Sequence, residues 1–273
     1  MEKKRVLFIS QEIFPFLPKN DLSSTSKRLP QGIQDLGKEI RIFTPRYGNI
    51  NERRHQLHEV IRLSGMNIVI DDQDHPLIIK VASVPNAKMQ VYFIDNDEFF
   101  KRKHTVTDEN DEFFEDNDKR SIFFCRGILE TVKKLGWQPD IIHCNGWLGM
   151  MMPLYIKTVY NKDPHFEKTK VVLSMYDTPF NEQFDERLSD ILKFDGVNDE
   201  IAAEIGEGTF EDVLTAAVKY SDGITVLSEK ISDVCQKIYD DATCAKLDYV
   251  AEEHQTKQLS EFFDKIIEET LVS

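Results

Sequence analysis

The sequence predicts an α/β fold: a doubly wound, mostly parallel sheet followed by a helical C-terminal tail. Three observations carry that prediction. Short apolar runs of strand length alternate with helical patterns through residues 1–228. The first two runs are separated by a stretch long enough for a crossover helix, which implies parallel strands and a right-handed connection. Beyond Ser228 only helical periodicity is expected. Residues 1–228 are therefore expected to form the sheet domain, with 229–273 as a tail packed on it.

The elements follow in order. Residues 6–10 open the sheet on Val6-Leu7-Phe8-Ile9. A helix over about 23–36 stops at Gly37, and a second strand over 39–44 ends at Pro45. Residues 68–70 and 77–84 read as a hairpin around 71–74, with a further strand at 90–94. A long helix over 119–135 closes at Gly136 and leads to a short buried strand at 140–143. Then come a helix over 148–160, a strand over Lys170–Met175, a helix over 209–220 and a strand over 223–227. In the tail, Ser228 is expected to cap a helix over 229–239. A second helix over roughly 250–271 carries Leu259, Phe262, Phe263, Ile266 and Ile267 at i, i+3, i+4, i+7 and i+8. This stripe is expected to cover loop edges near Phe14, Phe16, Trp147 and Phe180. The acidic stretch 108–118, interrupted by Phe113-Phe114, reads as solvated surface.

Charge removes one class of function. With 34 Lys plus Arg against 48 Asp plus Glu in 273 residues, the net charge is −14, and such a chain repels phosphate backbones. No nucleic-acid partner is expected. The run at 6–9 is too short for a secretory core, and no stretch approaches the roughly 18 apolar residues of a membrane span. The four cysteines lack C-x-x-C spacing and read as reduced thiols. The expected setting is cytoplasmic, with no membrane contact.

Several familiar chemistries also fail. Gly206-Glu207-Gly208 starts a dinucleotide fingerprint, but Glu211 stands where its third glycine belongs and no strand precedes it. His55-x-x-His58 has no carboxylate at zinc-enzyme spacing, so no metal and no cofactor are expected. Neither a Gly-x-Ser-x-Gly elbow nor a Walker loop occurs. What remains is a set of loops past the carboxyl ends of the strands, at 11–21, 144–147 and 176–180. Open α/β sheets place their ligands at that edge.

Motifs on these loops carry a resemblance. Ser10-Gln11-Glu12-Ile13-Phe14-Pro15-Phe16 matches an S-x-E-x-x-P-F opening. Leu29-Pro30, Leu36-Gly37-Lys38-Glu39-Ile40-Arg41 and Pro45-Arg46-Tyr47-Gly48 follow in order. Later come Val91–Asn96, 120–125, 139–143, Trp147 with Pro153-Leu154-Tyr155, and Tyr220-Ser221-Asp222 with Thr225-Val226-Leu227-Ser228. In order and spacing the chain resembles the N-terminal half of bacterial glycogen and starch synthases, retaining glycosyltransferases of the two-domain GT-B fold. The resemblance implies a Rossmann-like half and, as ligands, an α-glucan and a nucleotide-sugar.

The departures fall on the chemistry. The family's K-T-G-G-L loop brings backbone amides and a lysine to the donor's phosphates. Here Pro18 stands at the lysine and Asn20-Asp21 at the glycine pair, with Lys19 one residue away. H-A-H-D-W becomes His143-Cys144-Asn145-Gly146-Trp147, and the loop histidine of T-I-H-N becomes Tyr176, followed by Asp177. The chain also stops where the family's C-terminal domain would begin. The candidate cleft residues are Glu12, Lys19, Asn20, Asp21, His143, Asn145, Trp147, Tyr176 and Asp177, with no catalytic residue expected intact. Two readings follow. One is a glycogen/starch-synthase-like domain, inactive alone, that binds a glucan, a protein partner or a second copy. The other is a glycosyltransferase half completed by a separate C-domain chain.

Overall fold

The computed structural model describes residues 3–85, 87–176 and 179–272. Its described strands are β1 (Arg5–Ser10), β2 (Glu39–Pro45), β3 (His58–Glu59), β4 (Met66–Ile70), β5 (Gln73–Ser83), β6 (Gln90–Asp95), β7 (Ile141–Asn145), β8 (Lys170–Met175), β9 (Gly223–Val226) and β10 (Ala245–Leu247). They run in the order β10-β9-β8-β7-β1-β2-β6-β5-β3, with β4 paired to β5. Every pairing from β10 to β6 is parallel, while β5 pairs antiparallel with β6, β3 and β4. The doubly wound, mostly parallel sheet is as the sequence predicts. The chain builds outward from β1 in both directions, so β1 and β7 flank the point where the strand order reverses.

Local chemistry sets the elements. Helix Asp21–Asp35 buries Leu22, Leu29 and Ile33 along one stripe and hands the chain to β2. The β4–β5 hairpin closes on Asp71 and Asp72 with φ of 52° and 60°, the mirror-image turn that suits two twisted strands. Helix Asn117–Leu135 ends on Gly136 at φ 61°.

Several expectations need correction. The helix expected over 148–160 is split into a 3-10 turn, Trp147–Gly149, and a short helix, Met152–Lys157. In the tail, Ser232 rather than Ser228 caps the next helix, Asp233–Asp241. The tail is not wholly helical either, because Ala245–Leu247 adds β10 beside β9. Three residues are too few for periodicity to reveal a strand. The stretch 108–118 is not simply solvated: Asn117 and Asp118 have no exposed surface, and Phe113 stacks on Phe180 at 5.2 Å. Buried Arg120 pins the preceding loop by donating to Phe99 O (2.7 Å) and Thr105 O (2.6 Å).

The tail helix Glu252–Val272 lies against helix Asp21–Asp35 and the sheet. Phe263 meets Phe8 of β1 at 6.4 Å and His143 of β7 at 5.5 Å between ring centres. A Cβ on Gly223 would stand 2.6 Å from Ile266 Cδ1, so glycine is what lets the helix approach β9 this closely. Lys38 Nζ donates to Ser260 Oγ (2.7 Å) and Asp264 Oδ2 (2.8 Å). The stripe is core, but it covers a sheet face rather than the strand-end loops. Those loops are covered by an aromatic cluster of Phe113, Trp147, Phe180 and Phe184.

Candidate functional site

A cleft of about 970 Å³ opens past the carboxyl ends of β1, β7, β8 and β9, lined by Gln11, Glu12, Asn20, Trp147, Tyr176 and Gln255 among others. Its floor depends on one glycine. Gly146 has φ 95°, and a Cβ there would fall 2.7 Å from Gln11 Cβ. With that space free, Gln11 N donates to Asn145 O (2.9 Å) and Gln11 Oε1 accepts from Leu148 N (3.2 Å). The loops after β1 and β7 are thereby tied together.

One wall is the N-terminus of helix Asp21–Asp35. Asn20 Oδ1 accepts from Ser23 N (2.7 Å), and Ser23 Oγ accepts from Asn20 N (2.9 Å), a reciprocal capping box. Asn20 Nδ2 also donates to Glu12 Oε2 (2.7 Å), and Asp21 follows in the first turn. Backbone N–H groups at a helix N-terminus form a ready anion seat. Here two of the amides at that end are taken by the protein's own side chains.

The charge around the cleft points the same way. Glu12, Asp21, Glu229 and Glu252 line it against Arg28 and Lys230. Arg28 is already engaged: its Nε lies 3.0 Å from Glu252 Oε1, and Nη2 donates to Gln255 Oε1 at 2.5 Å. Lys19 is exposed and does not line the cleft.

The remaining expected residues separate. Trp147 and Tyr176 line the cleft while being nearly buried. The Tyr176 hydroxyl lies toward Asn145 and Thr25 without reaching hydrogen-bond geometry with either. Burial pushes its pKa upward. Asn145 sits beneath this floor, with Nδ2 donating to Ser26 Oγ at 2.7 Å. His143 is deeper still, its Nε2 2.5 Å from Ser174 Oγ and its ring against Phe8 and Phe263. Loss of solvent lowers its pKa to about 3. His143 is thus a neutral core residue, not a cleft group. Asp177 lies outside the described residues.

Sequence reasoning missed Arg28, Glu252 and Gln255, because nothing in a linear pattern brings the tail to the mouth of the cleft. It also passed over Gln11, though its place directly after a buried strand was a usable signal. His55 packs its ring on Phe16 at 5.0 Å. Among the described residues, no group of three or more His, Cys, Asp or Glu is arranged to hold a metal, and no helix is long and apolar enough to cross a membrane. Amides and hydroxyls beside carboxylates suit a neutral, hydroxyl-rich ligand better than an anionic one.

Residues 5–249 match the family model described as the starch synthase catalytic domain. A glycogen synthase of Pelodictyon phaeoclathratiforme is 33% identical over 263 residues, covering 93% of this chain and 51% of that protein. One from Chlorobium limicola is 40% identical over 173 residues, or 63% of this chain and 35% of the relative. The chain thus spans at most about half the length of these curated relatives. Among solved structures, the catalytic domain of starch synthase IV from Arabidopsis thaliana, bound to ADP and acarbose, superposes with a TM-score of 0.73 at 17% identity. That match covers 91% of this chain and 52% of the plant protein.

Proposed function

The chain belongs to the starch synthase catalytic domain family, and from that premise we propose that these residues form a glucan-binding half that does not bind nucleotide-sugar or transfer glucose by themselves. The observation that carries this reading is the capped helix end. Asn20 and Ser23 cap each other at the place where the family resemblance puts phosphate-binding glycines. Glu12 and Asp21 add negative charge beside it. A diphosphate would have to displace the cap and meet two carboxylates, whereas a neutral oligosaccharide meets neither penalty. Trp147 and Tyr176, nearly buried, offer a sugar only a small aromatic surface, while Gln11 and Asn20 supply polar groups for hydroxyls. Tyr176, where the family has a histidine, has no imidazole to place near a reacting carbon. We place the protein in the cytoplasm, in keeping with its four free cysteines.

Family membership favours a second reading, in which a separate chain supplies the other half of a glycosyltransferase and a nucleotide-glucose donates to an α-glucan. The two part on one measurement. Isothermal titration of the purified chain with maltoheptaose, ADP-glucose and UDP-glucose should give saturable binding of maltoheptaose alone. Saturable binding of either nucleotide-sugar would overturn the first reading in favour of the second.

A further inference from the structure

A second concavity lies at the opposite, amino-terminal edge of the sheet, below β1, β7 and β8. It encloses about 400 Å³ and is lined by Lys3, Lys4, Arg5 and Lys168 against Asp140 and Glu167. In a chain with net charge −14 this is a local reversal of sign. Arg5 is committed to Glu39, its Nε 3.4 Å from Oε2, but the lysines are not held by neighbouring carboxylates. Among the described residues, Lys3, Lys4 and Lys168 have no ion-pair or hydrogen-bond partner for their ammonium groups. Asp140 is turned to the backbone, with Oδ2 accepting from Arg5 N at 2.7 Å.

The walls are firm. Thr169 Oγ1 donates to Pro139 O (2.7 Å), Asp140 N donates to Arg5 O (2.9 Å), and Lys170 N to Asp140 O (2.9 Å). His165 stands at the rim, its Nδ1 3.0 Å from Asp163 Oδ1, so Nε2 is the nitrogen left for another partner. The volume falls within the range of about 300–1,000 Å³ common to small-molecule sites. Lysine ammonium groups are compact point charges well suited to phosphate oxygens. At ~0.1 M salt, screening over about 10 Å leaves these local cations dominant over the distant negative charge.

We propose that this amino-end basin binds a small, multiply charged phosphorylated anion. The proposal is independent of what occupies the carboxyl-end cleft. It is tested by titrating inorganic pyrophosphate into the full chain at ~0.1 M salt, followed by calorimetry and by amide shifts of residues 3–5 and 164–169. Single-site saturation is expected, with shifts at those residues. K4E/K168E should weaken binding by about tenfold or more, and K4Q/K168Q by less, with melting temperatures close to the parent because both side chains lack partners. Absence of saturation, unchanged affinity in K4E/K168E, or a shift pattern centred on residues 20–23 would each overturn the assignment.

Discussion

At the carboxyl ends of the strands, Ser10 Oγ, Thr44 Oγ1, Asn145 Oδ1, Tyr176 Oη and Thr225 Oγ1 are buried without a hydrogen-bond partner. At the amino ends several such groups are matched, Arg5 N with Asp140 Oδ2, Thr169 Oγ1 with Pro139 O, and Val171 N with Asp222 Oδ2 at 2.8 Å, and Arg41 Nε in the first half of β2 is left without a partner. An orphaned buried polar atom costs about 1–3 kcal/mol. The carboxyl edge therefore gives up stability that the amino edge keeps, as functional edges tend to do. Charge reverses as well, from a mostly acidic cleft to a mostly basic basin. One sheet thus presents a costly, anion-averse face and a settled, cationic one.

The largest test asks whether both edges depend on one core. Truncation after Asp248 exposes Leu259, Phe262, Phe263, Ile266 and Ile267, each worth about 1.5–3 kcal/mol, a sum comparable with the stability of a whole domain. The truncated chain should aggregate, and Phe263→Ala alone should cost about 3–5 kcal/mol by denaturant unfolding. A truncated chain that keeps its melting temperature and solubility would show that the stripe is not core.

Next in size is acid. His143 has a folded pKa near 3, below its ordinary 6.5. The unfolded chain therefore takes up the proton first, and stability should fall by about 1.4 kcal/mol per pH unit as pH drops from 6.5 toward 3. His143→Gln should flatten that slope in melts between pH 7 and 4. An equal slope in the variant would move the effect elsewhere.

Opening the acidic edge should change what it accepts. Asn20→Gly with Asp21→Gly removes a charge and frees backbone amides, so ADP-glucose affinity should rise by about 1–3 kcal/mol. Glycine is tolerated at an N-cap, so losing the Asn20 side chain should cost only about a few tenths of a kcal/mol of stability. Calorimetry showing no gain would place the obstacle outside this helix end.

The smallest effect sharpens the contrast in buried polar cost. Asp118 is buried with Oδ2 unpartnered, and loss of solvent raises its pKa from 3.8 to about 6. The folded state holds that proton more tightly, so its contribution is favourable below pH 3.8 and is lost as pH rises through about 6. Asp118→Asn should then stabilise by about 1–2 kcal/mol at pH 7 and by almost nothing near pH 4. Equal gains at both pH values would mean that packing, not charge, is responsible.

The parallel core was legible because Val6–Ile9, Lys170–Met175 and the intervening helices obey strong periodicities. The cleft was half legible. Trp147, Tyr176, Glu12, Asn20 and Asp21 line it as their positions after buried strands suggested. His143 did not, because strand alternation turns it to the face covered by Phe263, which no local pattern specifies. β10 and the burial of Asp118 depend on contacts distant in sequence, and the amino-end basin joins residues 3–5 to 164–169 only in the folded chain.

The capping box at Asn20 and Ser23 also has a thermodynamic meaning. It acts as a resident competitor carried on the same chain as the seat it occupies. A cap worth about 1 kcal/mol divides the apparent affinity of any anion for those amides by about five. Because the competitor is tethered, its occupancy is set by chain geometry and neither rises nor falls with metabolite concentration. By reciprocity, whatever does displace it must loosen the first turn of helix Asp21–Asp35 by the same free energy.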